Sequence, residues 1–445
     1  MKWMSTYKRY SIAALLWGLT LSAQGQTNFY YPPLIGSQWD TITPLDAGWC
    51  DDDLTDLYTF LDTTNTRAFI VLHQGKRVIE QYFHDFKADS SWYWASAGKS
   101  LTAFLVGLAQ QQGHLDISDP VSQYLGSQWT SCTPAEESAI LIEHQLAMTT
   151  GFDDGVPNLN CISSSCLECM ATPGTRWSYH NAPYTLLRAV LEDATGLGIN
   201  QYVFQQLTQT TGMTGIYAWL PDDLNVFFSN ARSMARFGLL MLSNGNWSGN
   251  VVMNDQQYFN QMITTSQAEN EAYGLLWWLN NTNTFMAPYL RFPFQGNMSP
   301  VSPMDMYSAI GKNGQIINVV PSADMVVVRM GENPDTNASV PWNYNDAMMG
   351  YLSQLICDLS FDMQYDNADD FNFSFTVNHT LRITSKSPIK RVRQYDMRGV
   401  NITSEQINNA NDFVWEYGVY GRGAFVVAVE TVDGVVHRQM VIVTN

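Results

Sequence analysis

Residues 91–104 read "SWYWASAGKSLTAF", a serine three positions ahead of a lysine at the entrance to an apolar run. From Ser96 onward, Leu101, Phe104, Leu105 and Leu108 recur at helical spacing until Gly113. The spacing predicts a buried helix with Ser96 and Lys99 on its first turn, one above the other. A serine placed there presents its hydroxyl where backbone N–H groups and the helix dipole favour developing negative charge. A hydroxyl attacks only when something takes its proton, and a lysine does so only when desolvation or neighbouring cations lower its pKa. The competing reading is structural, with Ser96 as a helix cap and Lys99 as a solvated side chain. The pattern alone does not choose, because Ser-x-x-Lys also occurs at Ser5/Lys8 and Ser387/Lys390. Ser5 belongs to an N-terminal leader and Ser387 to a β-rich tail, so only Ser96 opens a long apolar helix.

Two later elements carry chemistry of a matching kind. "GTRWSYHNAPY" contains Tyr179-His180-Asn181; Tyr-x-Asn recurs at Tyr258 and Tyr365, but Tyr179 sits on a loop before a helix. A phenol there relays protons, and Asn181 holds a substrate amide or Lys99; the bland alternative is a half-buried aromatic hydrogen-bonded at its tip. Lys312-Asn313-Gly314 is the only Lys-x-Gly in the chain. Read as the start of an edge strand, it sets positive charge over the site, and Gly314 admits a close substrate backbone. Its composition also suits a solvated turn.

Around these elements the chain reads as a mixed α and β protein. "RAFIVLHQGKRVIEQYF" gives two β-rich runs about Gln74-Gly75-Lys76, a hairpin signature. "PYTLLRAVLEDATG" reads as a helix with Pro183 in its first turn and Gly196 after its end, which makes residues 174–182 an exposed approach loop. "SNARSMARFGLLMLSNG" is an amphipathic helix ending at Gly245, and "GQIINVVPSADMVVVRMG" is two strands about Pro321-Ser322-Ala323-Asp324. Near Asp362 the composition turns polar and acidic, a linker signature, and short alternating strands follow. They suggest a small β-sandwich.

With 445 residues, 45% of them hydrophobic and 13% aromatic, the chain affords a sizeable core in a large domain plus an accessory one. A net charge of −18 repels phosphate backbones and argues against nucleic acid as a partner. Lys2, Lys8 and Arg9, an apolar stretch from Ile12 to Leu21, and Ala23-Gln24-Gly25 form a secretory signal peptide pattern; the stretch is too short to span a bilayer. No other segment is suited to span a membrane. Export makes Cys50, Cys132, Cys161, Cys166, Cys169 and Cys357 disulfide candidates. A zinc site in "CISSSCLECM" needs a fourth ligand such as His144 or His180, so one bridge within that loop is expected, its pairing open.

In this order, Ser96/Lys99, Tyr179/Asn181 and Lys312/Gly314 resemble the serine β-lactamase and penicillin-binding-protein superfamily, specifically class C β-lactamase-like serine hydrolases. "VLHQGKRVIEQYF", "LAQQQGHLDISDPVSQYL", "IEHQLAMTTGF", "ARSMARFGLLMLSNGNW" and "AYGLLWWLN" share in the resemblance, which runs over roughly residues 55–360. It implies an α/β (α+β) fold of the β-lactamase/DD-peptidase type, an antiparallel sheet flanked by helices plus a helical subdomain. The expected organisation is a signal peptide at 1–25, a hydrolase domain at 26–362, a linker at 363–370 and a β-sandwich at 371–445. The resemblance implies Ser96 as acylated nucleophile, Lys99 as its base and Tyr179 as proton relay. Asn181, Lys312 and Gly314 would meet substrate, and the backbone N–H groups of Ser96 and Gln315 would form the oxyanion hole, without metal or cofactor. Asn313 departs from the threonine usual in β-lactamases, which favours an ester or amide substrate over a carboxylate-bearing one. A D-alanyl-D-alanine peptide or a β-lactam stays open.

The tail "IKRVRQYDMRGV … GAFVVAVETVDGVVHRQMVIV" resembles the C-terminal sorting domain of type IX secretion. That implies passage through the periplasm to a secreted or cell-surface location, with the secretion machinery as partner. A carbohydrate-binding or spacer module is the alternative. Two other functions compete with the enzyme. A Ser-His-Asp hydrolase would read "WASAG" as half a nucleophile elbow, but Trp94 occupies its first glycine position. A noncatalytic receptor for peptidoglycan fragments or β-lactams would need no Ser96, Lys99 or Tyr179, and all three are present. The pairs "WYW" and "WWL" suit a pocket wall or, more ordinarily, core.

Overall fold

The structure is a computed structural model; it describes residues 29–290, 292–334, 341–356, 371–376, 380–395, 401–416, 423–433 and 436–443. The leader at 1–25, the linker at 363–370 and Cys357 lie outside the described residues. In chain order the main elements are α1 (Thr55–Thr63), β1 (Thr66–His73), β2 (Lys76–Tyr82), β3 (Trp92–Tyr93) and α2 (Gly98–Gln111). There follow α3 (Asn181–Thr195), β4 (Ile216–Leu220), β5 (Leu224–Ser229), α4 (Ala231–Leu242), β6 (Trp278–Leu279), β7 (Tyr307–Gly311), β8 (Gln315–Val320), β9 (Met325–Gly331) and α5 (Trp342–Leu355).

Six of these strands make one antiparallel sheet in the order β2-β1-β9-β8-β7-β6. The hairpin between β1 and β2 forms where the sequence places it, because Gln74 and Gly75 take positive φ of 50° and 81°, as a two-residue hairpin turn requires. Ala68, Phe69, Ile70, Val71 and Leu72 are all fully buried, as are Val326, Val327 and Val328. Successive buried residues mean that both faces of the sheet are covered, so these strands read as continuous apolar runs rather than alternating ones. On one side α1 and α5 pack through Phe60, which stacks on Tyr351 and Tyr344 at 4.5 and 5.5 Å. On the other side α4 lies so close that a Cβ on Gly238 would stand 2.4 Å from Val326.

Helix α2 is buried from Gly98 to Ala109. It joins the sheet to a helical region formed with α3 and the short helices Ser122–Leu125, Pro134–Ser138, Ile142–Leu146 and Ile199–Val203. Two disulfides brace this region, Cys132–Cys169 and Cys161–Cys166, the second inside the loop where a bridge was expected. Cys50 is disulfide-bonded as well. The helix over 231–242 ends three residues ahead of Gly245, with Ser243 closing it.

The tail is β-rich, with β10 (Phe371–Thr376), β11 (Thr380–Tyr395), β12 (Asn401–Glu416), β13 (Gly423–Thr431) and β14 (Val436–Val443). The described strands hydrogen-bond into one five-stranded sheet. The register of β11 against β12 breaks between Thr384 and Ile389, a bend that brings both halves around one small core of Leu381, Ile383, Ile389, Val392, Ile407, Val427 and Val429. Tyr395 rests against Phe292, 5.7 Å between ring centroids.

Candidate active site

Ser96 sits in a single 3-10 turn, Ala95–Ala97, that runs directly into α2. The expected first α-turn is thus a tighter one. Ala95 stands at φ 47°, a left-handed conformation that costs a non-glycine residue strain and that folds concentrate at positions held rigidly for function. The Ser96 side chain does not cap the helix: Ala97 is the cap residue, and no side-chain cap bond forms.

Lys99 is 3% exposed. Its Nζ donates to Ser96 Oγ and to Asn181 Oδ1, both at 2.9 Å. The same nitrogen lies 4.4 Å from the ring centroid of Tyr184 and 5.1 Å from that of Tyr179. Among the described residues no carboxylate pairs with it. Burial without a counter-charge brings the Lys99 pKa from 10.5 down to about 7, so the solvated reading fails and a neutral amine is available near neutrality.

Tyr179 comes from a segment expected to be exposed, and here the structure corrects the expectation. Trp177, Ser178, Tyr179 and His180 are all buried. The cause is aromatic packing: the Tyr179 ring stacks on Trp278 at 5.8 Å and meets the edge of Tyr273 at 6.3 Å. Burial pushes the Tyr179 phenol upward, and a hydrogen bond with Ser96 pulls it the other way. Trp277 and Trp94 are core, so the two tryptophan-rich stretches are mainly structural. His180 caps α3 by accepting from the Ala182 N–H at 3.2 Å. Burial lowers its pKa to about 4, against the opposing pull of Asp154 and Asp153, so it is a neutral cap.

The third element is arranged differently from its reading in sequence. Lys312–Gly314 is a turn between β7 and β8, and Lys312 is exposed on it. Asn313 takes φ 63° and its Nδ2 donates to Tyr93 Oη at 2.7 Å, which ties the turn to β3. Gly314 faces inward: a Cβ there would stand 2.6 Å from Arg329, whose guanidinium donates to the Gly314 carbonyl at 3.0 Å. It therefore offers no open path to a substrate backbone. Arg329 is fully buried beneath the turn and also donates to the carbonyls of Asn313, Thr64 and Glu332 and to the Thr66 hydroxyl. The Gln315 side chain is bonded to both the carbonyl and the N–H of Gly331.

The residue that meets the Ser96 turn is Gly311. A Cβ at Gly311 would lie 2.5 Å from the Trp94 carbonyl oxygen, 2.8 Å from Ala97 N and 2.9 Å from Ser96 N. β7 pairs with β6 only at Tyr307 and Ser308, so its last residues, up to Gly311, form a free strand edge beside Ser96 among the described residues. A lone glycine ending an apolar strand is the sequence signal for such an approach. Asn160 is the other residue the motifs did not reveal: its Oδ1 accepts from Asn181 Nδ2 at 2.8 Å. Ser96, Lys99, Tyr179 and Asn181 thus come together, whereas Gly314 belongs to the turn's support.

A serine and a buried lysine thus stand in hydrogen-bond contact at a helix start, beside the end of a strand. The Beta-lactamase family model matches residues 63–344. This chain belongs to the beta-lactamase family. The 6-aminohexanoate-dimer hydrolase of Paenarthrobacter ureafaciens is 23% identical over 325 residues, 63% of this chain and 76% of that one. Among solved structures, a provisionally assigned 6-aminohexanoate-dimer hydrolase from Bacillus anthracis superposes with a TM-score of 0.55 at 17% identity, covering 73% of this chain and 90% of the other. A family VIII carboxylesterase superposes with a TM-score of 0.51 at 13% identity, covering 69% and 99%. These likenesses establish the fold, a β-lactamase/DD-peptidase-like α/β architecture with an antiparallel sheet and flanking helices.

Proposed function

We propose that the chain is a serine hydrolase of the class C β-lactamase-like type that cleaves an ester or amide through an acyl-enzyme on Ser96. The observation that carries this reading is the 2.9 Å contact between Ser96 Oγ and a Lys99 amine whose pKa burial brings down to about 7. In the acylation step Lys99 Nζ takes the hydroxyl proton as Ser96 Oγ bonds to the carbonyl carbon. Tyr179 passes a proton to the departing alcohol or amine, and water then releases the acyl group. Asn181, with one amide hydrogen left after its bond to Asn160, meets the substrate carbonyl. The oxyanion is held by the Ser96 N–H and by backbone of the segment from Gly311 to Gln315. The names of the relatives support small esters and short oligoamides as the first substrates to try.

Incubating the purified chain with p-nitrophenyl butyrate, a 6-aminohexanoate dimer, nitrocefin and a D-Ala-D-Ala peptide should give turnover of the ester or the oligoamide. Mass spectrometry should place the acyl adduct on the Ser96 peptide. Binding of nitrocefin or the peptide without turnover of any donor would instead favour a receptor, and turnover of either would favour a β-lactamase or a carboxypeptidase.

We also propose export through the periplasm, on the leader pattern at 1–25 and the β-rich tail. Removing residues 371–445 should leave an active enzyme trapped in the periplasm; a truncated chain that still reaches the outside would reject the sorting role.

A further inference from the structure

The disulfide-closed loop that precedes α3 reaches into the site through a single side chain. Asn160 stands next to Cys161, whose bridge to Cys166 closes a loop of a few residues. The loop is fixed to the start of α3 by the Leu159 carbonyl, which accepts from Ala182 N at 3.0 Å. Its own turn is set by Asn158, whose Oδ1 accepts from Asn160 N at 3.0 Å. From this anchored position Asn160 Oδ1 accepts from Asn181 Nδ2 at 2.8 Å, while Asn181 Oδ1 accepts from Lys99 Nζ at 2.9 Å.

The two ends of an asparagine amide are nearly equal in shape, and only their hydrogen-bond partners decide which end faces which neighbour. Lys99 contributes no such choice by itself, because a neutral amine both donates and accepts. An acceptor on the far side settles it: with Asn160 Oδ1 turned toward it, the Asn181 NH2 is held away from Lys99 and its carbonyl faces the amine. A neutral Lys99 that donates one N–H to that carbonyl can turn its lone pair to Ser96, so that in this contact the hydroxyl becomes the donor and the amine takes its proton. We propose that Asn160 is a positioning residue that fixes the Asn181 amide, and through it the lone pair of Lys99, for proton abstraction from Ser96. The proposal rests on the serine hydrolase reading above.

The groups that face Lys99 are the Ser96 hydroxyl, the Asn181 amide and the phenols of Tyr179 and Tyr184. Both phenols are pushed upward by burial and stay neutral across the working range. Asp153 and Asp154 act on His180. An Asn160→Asp change therefore brings in a carboxylate that still accepts from Asn181 Nδ2, and a negative charge near Lys99 favours the ammonium.

The test is the pH profile of kcat/KM for p-nitrophenyl butyrate in the wild type, N160D and N160A. In N160D the acid limb should move up by about one pH unit, with a plateau well above that of N160A. In N160A kcat should fall about tenfold with KM nearly unchanged, since the lost interaction acts on proton transfer rather than on binding. An unmoved limb in N160D, or equal plateau losses in both variants, overturns the proposal. Should N160D fail to fold, N160S decides: its short hydroxyl misses Asn181, and a wild-type kcat would overturn the idea. A wild type with no turnover and no Ser96 adduct fells the hydrolase reading itself, whereas a wild type with a normal acid limb and an indifferent N160D fells this inference alone.

Discussion

Replacing Ser96 with alanine, or Lys99 with methionine, should each lower kcat/KM by about 10³-fold or more, and the double variant should be scarcely worse than either single one. The two side chains form one nucleophile: the hydroxyl is inert without the amine 2.9 Å away, and the amine has nothing to activate without the hydroxyl. Losses that multiplied in the double variant would show that the two act separately. The residual activity should lose its acid limb in Lys99→Met, because the limb of the wild type reports the amine whose pKa burial has lowered to about 7.

The same burial gives Lys99→Met a second signature, in stability. The folded pKa lies below the ordinary value of 10.5, so the unfolded chain binds more protons between those limits. Stability contributed by this site is therefore lost as pH falls from about 10.5 to about 7, and below that the folded chain carries the full cost of a buried ammonium. Methionine removes the cost. The variant should melt above the wild type at pH 6, and the gap should narrow by pH 10. A gap that stayed constant with pH would mean that Lys99 is not desolvated as the structure has it.

The fold was legible in the sequence where chain-local physics decides it. Gln74-Gly75 announced a hairpin because a two-residue turn needs positive φ, and Gly196 announced a helix end for the same reason, at φ 67°. Ser96 and Lys99 were legible because helical spacing alone puts them on one face. Tyr179 was found as a residue but placed wrongly in depth, since its burial comes from Tyr273 and Trp278, far along the chain. Gly314 was misread because the side on which a turn residue points depends on what lies beneath it, here Arg329. Asn160 gave no signal, since a polar residue in a cysteine-rich loop has no periodicity to betray its partner.

Gly311→Ala should be the most damaging change that touches no chemical group, lowering kcat/KM by about 10²–10³-fold with little effect on KM. Gly311 has φ −121°, a value that alanine adopts freely, so the backbone itself raises no objection. The obstacle is space. A methyl group would stand 2.5 Å from the Trp94 carbonyl oxygen and 2.9 Å from Ser96 N, and these are backbone atoms of the turn that presents the nucleophile. Either β7 withdraws, taking with it the backbone that follows Gly311, or the Ser96 turn shifts and breaks its 2.9 Å contact with Lys99. Both routes disturb backbone and a proton acceptor that act on the transition state, which is why kcat should carry the loss. Gly198→Ala is the matched control: its φ is −62° and a Cβ there meets nothing within 4 Å, so its kinetics should equal those of the wild type. A Gly311→Ala enzyme as active as that control would mean that β7 supplies no part of the oxyanion site, and the second donor would have to be sought elsewhere around Ser96.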